Sequence, residues 1–109
     1  MECQSWAARL DRLLALIEEV KRRPAQLPEH IYQKLGCGRS LFFEYRNFLR
    51  DQVGFEFEYD RRLGRYVVGR DPYQPGRGLS PRETYALLIC AAEDTLALRA
   101  ARKLIRRQG

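Results

Sequence analysis

Phe55-Glu56-Phe57-Glu58-Tyr59-Asp60-Arg61-Arg62-Leu63-Gly64-Arg65-Tyr66-Val67-Val68 is the stretch that decides the fold. Its first half has a period of two: Phe55, Phe57 and Tyr59 alternate with Glu56, Glu58 and Asp60. Successive side chains of a strand point to opposite faces, so this is a strand with one apolar face and one acidic, solvated face. Arg61-Arg62-Leu63-Gly64 reads as a turn, and Tyr66, Val67 and Val68 as the returning strand. The product is a β-hairpin whose tip carries Arg61, Arg62 and Arg65.

Upstream of the hairpin the period changes to that of a helix. Trp6, Leu10, Leu13, Leu14 and Ile17 recur at steps of three and four, with Arg9, Arg12, Glu18 and Glu19 largely between them. Ser5 can cap this helix, and Pro24 ends it, because the residue before a proline avoids the α region. A short second helix is expected over Pro28–Leu35, with proline at its first position, Ile31 and Leu35 on one face, and Gly36 as its C-terminal turn. A third helix is expected over Arg39–Gln52. Phe42, Tyr45 and Leu49 form its inward stripe, while Phe43, Glu44, Arg46, Asn47 and Arg50 lie on its other faces, and Gly54 stops it.

Downstream, residues 69–78 hold Pro72, Pro75, Gly76 and Gly78 and form a connector. Ser80-Pro81-Arg82-Glu83 is a helix start, with serine as cap, proline in the first turn and glutamate closing a capping box. A long helix over Pro81–Arg107 follows. The expected architecture is α+β: three helices and a hairpin over residues 1–70, a linker over 71–79, and a C-terminal helix over 80–109.

The chain has 109 residues, which suits one main core. Hydrophobic residues make up 45%, above the composition of disordered chains, and the formal net charge of +6 favours a polyanionic partner. Its basic residues are mostly arginine, whose planar fork fits phosphate oxygens and guanine edges; a G+C-rich genome would inflate arginine equally. Cys3, Cys37 and Cys90 are far apart and His30 is the single histidine, so neither a metal site nor a disulfide framework is expected. The sequence contains no phosphate-binding glycine loop and no nucleophile placed beside a base. Carboxylate pairs such as Glu18-Glu19 and Glu93-Asp94 are neighbours that point in different directions on a helix. The expectation is a non-enzyme without cofactor, soluble and cytoplasmic, with no apolar run long enough for a membrane.

Helix, short helix, turn, helix and hairpin in this order make a winged helix-turn-helix. Leu35-Gly36-Cys37-Gly38-Arg39-Ser40 resembles the turn of DeoR-like winged helices. Glu58-Tyr59-Asp60-Arg61-Arg62-Leu63-Gly64-Arg65-Tyr66 resembles their wing, and Leu79-Ser80-Pro81-Arg82-Glu83 the start of the helix that follows it. The resemblance is to the DNA-binding part of WYL-domain transcriptional regulators and covers residues 6–105. The WYL effector domain of that family is expected to be absent here. The sequence differs from the family pattern in three places. Leu27 stands where serine or threonine usually caps the second helix. Phe43 and Glu44 stand where basic residues are usual. The third helix is one residue longer before the wing.

The resemblance implies a transcriptional regulator that binds double-stranded DNA. Arg39, Ser40, Phe43, Arg46, Asn47 and Arg50 are the candidate contacts in the major groove, and Arg61, Arg62 and Arg65 those on the flanking backbone. A solvated charged face is the alternative for each set. Glu44 repels phosphate but can accept from a cytosine amino group. Cys37, beside the turn, is expected to be inert rather than redox-sensing. The C-terminal helix is too apolar to stand alone. It either packs on the same chain or forms a homodimer seam, for which Leu88, Ala92, Leu96, Ala100 and Leu104 are the candidates. The alternative function is a protein-interaction module, an adaptor or anti-repressor, with Phe43 and Glu44 as its contact surface and no DNA.

Overall fold

A computed structural model of the chain describes residues 6–22, 28–36 and 38–108, the side chains of 28–30, 34 and 104–108 excepted. The elements run α1 (Trp6–Lys21), α2 (Pro28–Leu35), α3 (Arg39–Phe48), a π-helical segment (Leu49–Val53), β1 (Glu56–Asp60), β2 (Arg65–Arg70) and α4 (Pro81–Gln108). The fold is α+β, with a two-stranded antiparallel hairpin between the helices and a long C-terminal helix. Ser5, Pro24, Leu27 and Cys37, considered above for capping, terminating, turn or redox roles, lie outside the described residues.

The third helix differs from the expected Arg39–Gln52. It is α-helical to Phe48 and continues as a π turn to Val53. The Gly54 N–H donates to the Leu49 carbonyl at 2.9 Å, and the Phe55 N–H donates to the same oxygen at 3.0 Å. A π turn takes up one more residue than an α turn. Leu49 at its start and Val53 at its end are both buried in the core. Gly54, at φ 90°, then turns the chain out in the left-handed region that favours glycine.

The core lies where α1, α3, the π segment, the hairpin and α4 meet. Phe42, Tyr45 and Leu49 are all buried, as their spacing predicts. α1 packs against α2, β2 and α4, so it buries more than one stripe: Leu16 and Val20 join Leu13, Leu14 and Ile17. Trp6, expected on that stripe, is 43% exposed at the first position of the helix. Aromatic rings run through the middle. Phe42 packs edge-on to Tyr32, Phe43 and Phe57, with centroids at 4.9, 5.5 and 6.2 Å. Phe55 bridges from Phe57 to Tyr85 of α4, at 6.0 and 5.7 Å. Such pairs add about 0.5–1.5 kcal/mol each beyond the area they bury, so the hairpin and both flanking helices share one interior.

α4 starts as the sequence predicts. The Glu83 N–H donates to the Ser80 hydroxyl at 3.1 Å, and the Ser80 N–H donates to the Glu83 carboxylate at 2.9 Å. These reciprocal bonds satisfy donors that a helix start leaves open, and they hold the Glu83 carboxyl below its usual range. The connector is tied down as well. Lys21 donates to Asp71 at 3.0 Å and to the Tyr85 hydroxyl at 2.7 Å, while that hydroxyl donates to Asp71 at 2.7 Å. Arg9 of α1 donates to Glu93 of α4 at 2.8 Å and lies over the Tyr45 and Phe48 rings. Together these contacts fix the orientation of α4 against α1.

Candidate nucleic-acid interface

With Phe42, Tyr45 and Leu49 turned inward, the periodicity of 3.6 residues per turn divides the rest of α3 into stripes. Arg39, Phe43 and Arg46 follow one another at i, i+4 and i+7, with Phe43 and Arg46 opening on a cleft shared with the hairpin, and Arg50 follows in the π segment. Ser40, Glu44, Asn47 and Asp51 form a neighbouring, exposed stripe. The Arg39 and Arg46 guanidinium carbons each lie 5.6 Å from the Phe43 ring centroid, within reach of a cation–π attraction. Phe43 is half-buried and packs on Phe42, so it serves as an anchor that holds both arginines rather than as a free contact.

The hairpin tip is built by Asp60. Its carboxylate accepts from the backbone N–H of Arg62 at 2.8 Å and of Leu63 at 3.1 Å, and its carbonyl accepts from Gly64 at 2.8 Å. Gly64 sits at φ 66°, which closes the turn. The Asp60 charge is thereby directed to the backbone of the turn, and Arg61 and Arg62 are left exposed. Tyr59 pairs with Tyr66 across the strands, their rings 5.1 Å apart.

α3 and the hairpin enclose a cleft of about 350 Å³. Buried Phe42, Phe57 and Tyr66 and half-buried Tyr32, Phe43 and Tyr59 line it, together with Arg46, Glu58 and Arg61. The fold thus brings Phe43 and Arg46 of the third helix to the same opening as Arg61 of the hairpin. Tyr32, Tyr59 and Glu58 are members of this site that the sequence did not assign to it. Tyr59 carried a signal: it is the last apolar residue of the alternating strand, where the core runs out beside the turn. Tyr32 carried none, since one aromatic on an eight-residue helix has no periodic partner.

Two candidates stand apart. Arg50 is bound to its neighbour Asp51, at 2.8 Å through Nε, and the hydrogen bond holds that carboxyl below its usual range. Arg65 is half-buried at the other edge of the hairpin, in a depression it shares with Val20, Lys21 and Arg22. The acidic residues are also sorted by their contacts. Asp51 is held by Arg50, and Glu56 by Arg70 at 2.8 Å, whereas Glu44 and Glu58 are exposed.

Along α4, Ala92 is buried and Leu88 is half-buried against this chain's own core. Leu96 is half-buried and Ala100 exposed, and the Leu104 side chain lies outside the described residues. The expected seam thus begins as an intrachain contact with α1 and the π segment and emerges from it only beyond Ala92. Leu87 and Leu98, 59% and 54% exposed, lie on the outward side. Among the described residues no cluster of His, Cys, Asp and Glu could hold a metal ion, and no helix is long and apolar enough to cross a membrane. Comparison with protein-family models, with curated proteins and with solved structures found no match for the chain.

Proposed function

We propose that this chain binds double-stranded DNA as a winged helix-turn-helix module of a transcriptional regulator, of the DeoR-like kind that its turn and hairpin sequences resemble. In this reading α2, the turn after Leu35 and α3 are the helix-turn-helix, α3 enters the major groove, and the hairpin is the wing. The observation that carries it is a set of guanidinium groups with no carboxylate partner among the described residues: Arg39 and Arg46 on one stripe of α3, and Arg61 and Arg62 at the hairpin tip. Six other cations, Arg9, Lys21, Arg22, Arg50, Arg70 and Arg82, each have an acid. Arg12, Arg65, Arg77, Arg99, Arg102 and Lys103 are also without an acid among the described residues; what sets Arg46 and Arg61 apart is that they open on one cleft from two adjacent elements, an arrangement that suits a phosphate backbone.

The stripes of α3 divide the work. Arg39 and Arg46 meet phosphates, while Ser40, Glu44 and Asn47 face the base edges, where asparagine pairs with adenine and glutamate accepts from cytosine. Glu44 is then a reader rather than an intruder, because it stands off the arginine stripe. The exposed stretch of α4 from Ala97 to Lys103 joins two copies so that paired helices meet paired half-sites. The chain performs no catalysis in this reading and works in the cytoplasm. A second reading, a protein-interaction module that binds no DNA, draws on the exposed acids Glu44 and Glu58 beside the same surface. Selection from a randomised duplex library separates the two. The DNA reading predicts enrichment of an inverted repeat with half-sites one helical turn apart, about 10 bp. A bound fraction with no enriched sequence would count against it.

A further inference from the structure

We propose that the cleft between α3 and the hairpin holds one unpaired nucleotide of a DNA strand, its base among the aromatic rings and its phosphate at Arg46 and Arg61. The inference rests on the DNA reading for its partner, since the cleft opens between the two elements which that reading sets on the duplex. The chemistry of the cleft is more particular than a phosphate-binding face requires. Its volume of about 350 Å³ lies at the low end of small-molecule sites, roughly 300–1,000 Å³, which suits one ring system. Tyr32 and Tyr59 are half-buried, so each offers ring surface that an incoming base can cover, while Phe43 holds Arg46 at the cleft. Aromatic side chains and guanidinium planes are the groups on which unstacked bases settle.

The polar groups complete the match. Arg46 and Arg61 come from different elements, have no carboxylate partner among the described residues, and line the same opening. An anion placed there is met from two sides. Glu58 lines the cleft as an exposed acceptor, suited to the exocyclic amine of cytosine or adenine. An apolar peptide side chain would fill the rings but leave the arginines and Glu58 without a partner. A base that remains paired in the duplex presents only its edge and cannot enter.

The test uses the full chain and three labelled duplexes: one fully paired, one with a single bulged cytosine, and one with an abasic bulge at the same place. Anisotropy titration should show the bulged cytosine bound about tenfold tighter than the abasic bulge, the order expected for one stacked base. Tyr59→Leu should erase that preference, Tyr59→Phe should keep it, and Arg62→Gln should weaken all three duplexes equally, with circular dichroism checking that each variant is folded. Equal affinity for all three duplexes would overturn the nucleotide site while leaving duplex binding intact. A preference that survives in folded Tyr59→Leu protein would overturn it too. Absence of binding to every duplex would defeat the DNA reading and, with it, a strand as the source of the nucleotide. Calorimetry with deoxycytidine monophosphate then decides whether the free nucleotide enters the cleft instead.

Discussion

Lys21, Asp71 and Tyr85 form a closed triangle of hydrogen bonds that links the end of α1, the connector and the start of α4. Burial works against the charge on Lys21, but its bonds to Tyr85 and Asp71 outweigh this and hold its pKa above the usual lysine value. Burial likewise works against the Asp71 carboxylate. The Tyr73 backbone N–H, the Tyr85 hydroxyl and Lys21 together outweigh it and hold its pKa below the usual range. A depressed carboxyl contributes stability that is present above its unfolded pKa and lost as pH falls through the folded value. Asp71→Asn should therefore cost stability at pH 7 and lose less than the parent on going to pH 3, in urea melts at both pH values; parallel losses would contradict the pairing. Tyr85→Phe keeps the ring packed on Phe55 but deletes the hydroxyl. It should lower stability by about 1 kcal/mol, the net worth of a typical hydrogen bond, measured as the shift of the urea midpoint. Phe42 is the residue on which the interior depends most. Phe42→Ala should cost about 3–5 kcal/mol, a large share of the stability of a small domain, and calorimetry should show the transition lowered or abolished.

At the scale of elements, the π segment has a specific consequence. An α-helix turns about 100° per residue, so deleting Glu44 from α3 would rotate Tyr45 and Leu49 off the core and should abolish cooperative unfolding. Deleting exposed Gln52 shortens the π turn by one residue and lets the ladder close as α. That variant should remain folded, with a melting transition close to the parent. If both deletions unfold the protein, the π turn is not a place where the chain tolerates the loss of a residue. The π turn was not legible in the sequence, because it carries no residue signature of its own. The hairpin, α2, α3 as far as Phe48 and the capping box of α4 were legible, since each is specified by local periodicity or by a cap within a few residues. The cleft was legible only in part. Arg46 and Arg61 were found as charges, whereas Tyr32 and Tyr59 enter through the packing of α2 and of the hairpin around Phe42 of α3, which no local pattern encodes. The same holds for Leu88 and Ala92, whose helix spacing fits either a partner chain or this chain's own α1 and π segment.

At the scale of the whole molecule, α4 divides into two parts. Its first half closes the core through Tyr85 and Ile89, and from Ala97 to Lys103 every residue is exposed. Removal of residues 97–109 should leave the urea midpoint nearly unchanged and reduce the mass seen by light scattering from that of a dimer to that of a monomer. An unchanged mass would place any dimer contact elsewhere. Arg9, Lys21 and Arg82, which tie helices or the connector together, are paired with acids, whereas Arg39, Arg46, Arg61 and Arg62 on the proposed DNA face have no such partner among the described residues. Everything proposed for the function depends on those four groups binding a phosphate backbone. Anisotropy titration of the full chain against random-sequence duplex DNA at low and moderate salt tests this, alongside a variant with all four changed to glutamine. The parent protein should bind at low salt and weaken steeply as salt rises, and the variant's log–log slope should be shallower by about 0.9 for each phosphate it no longer neutralises. Failure of the folded parent protein to bind at low salt, or equal binding by the variant, would show that these arginines hold no DNA.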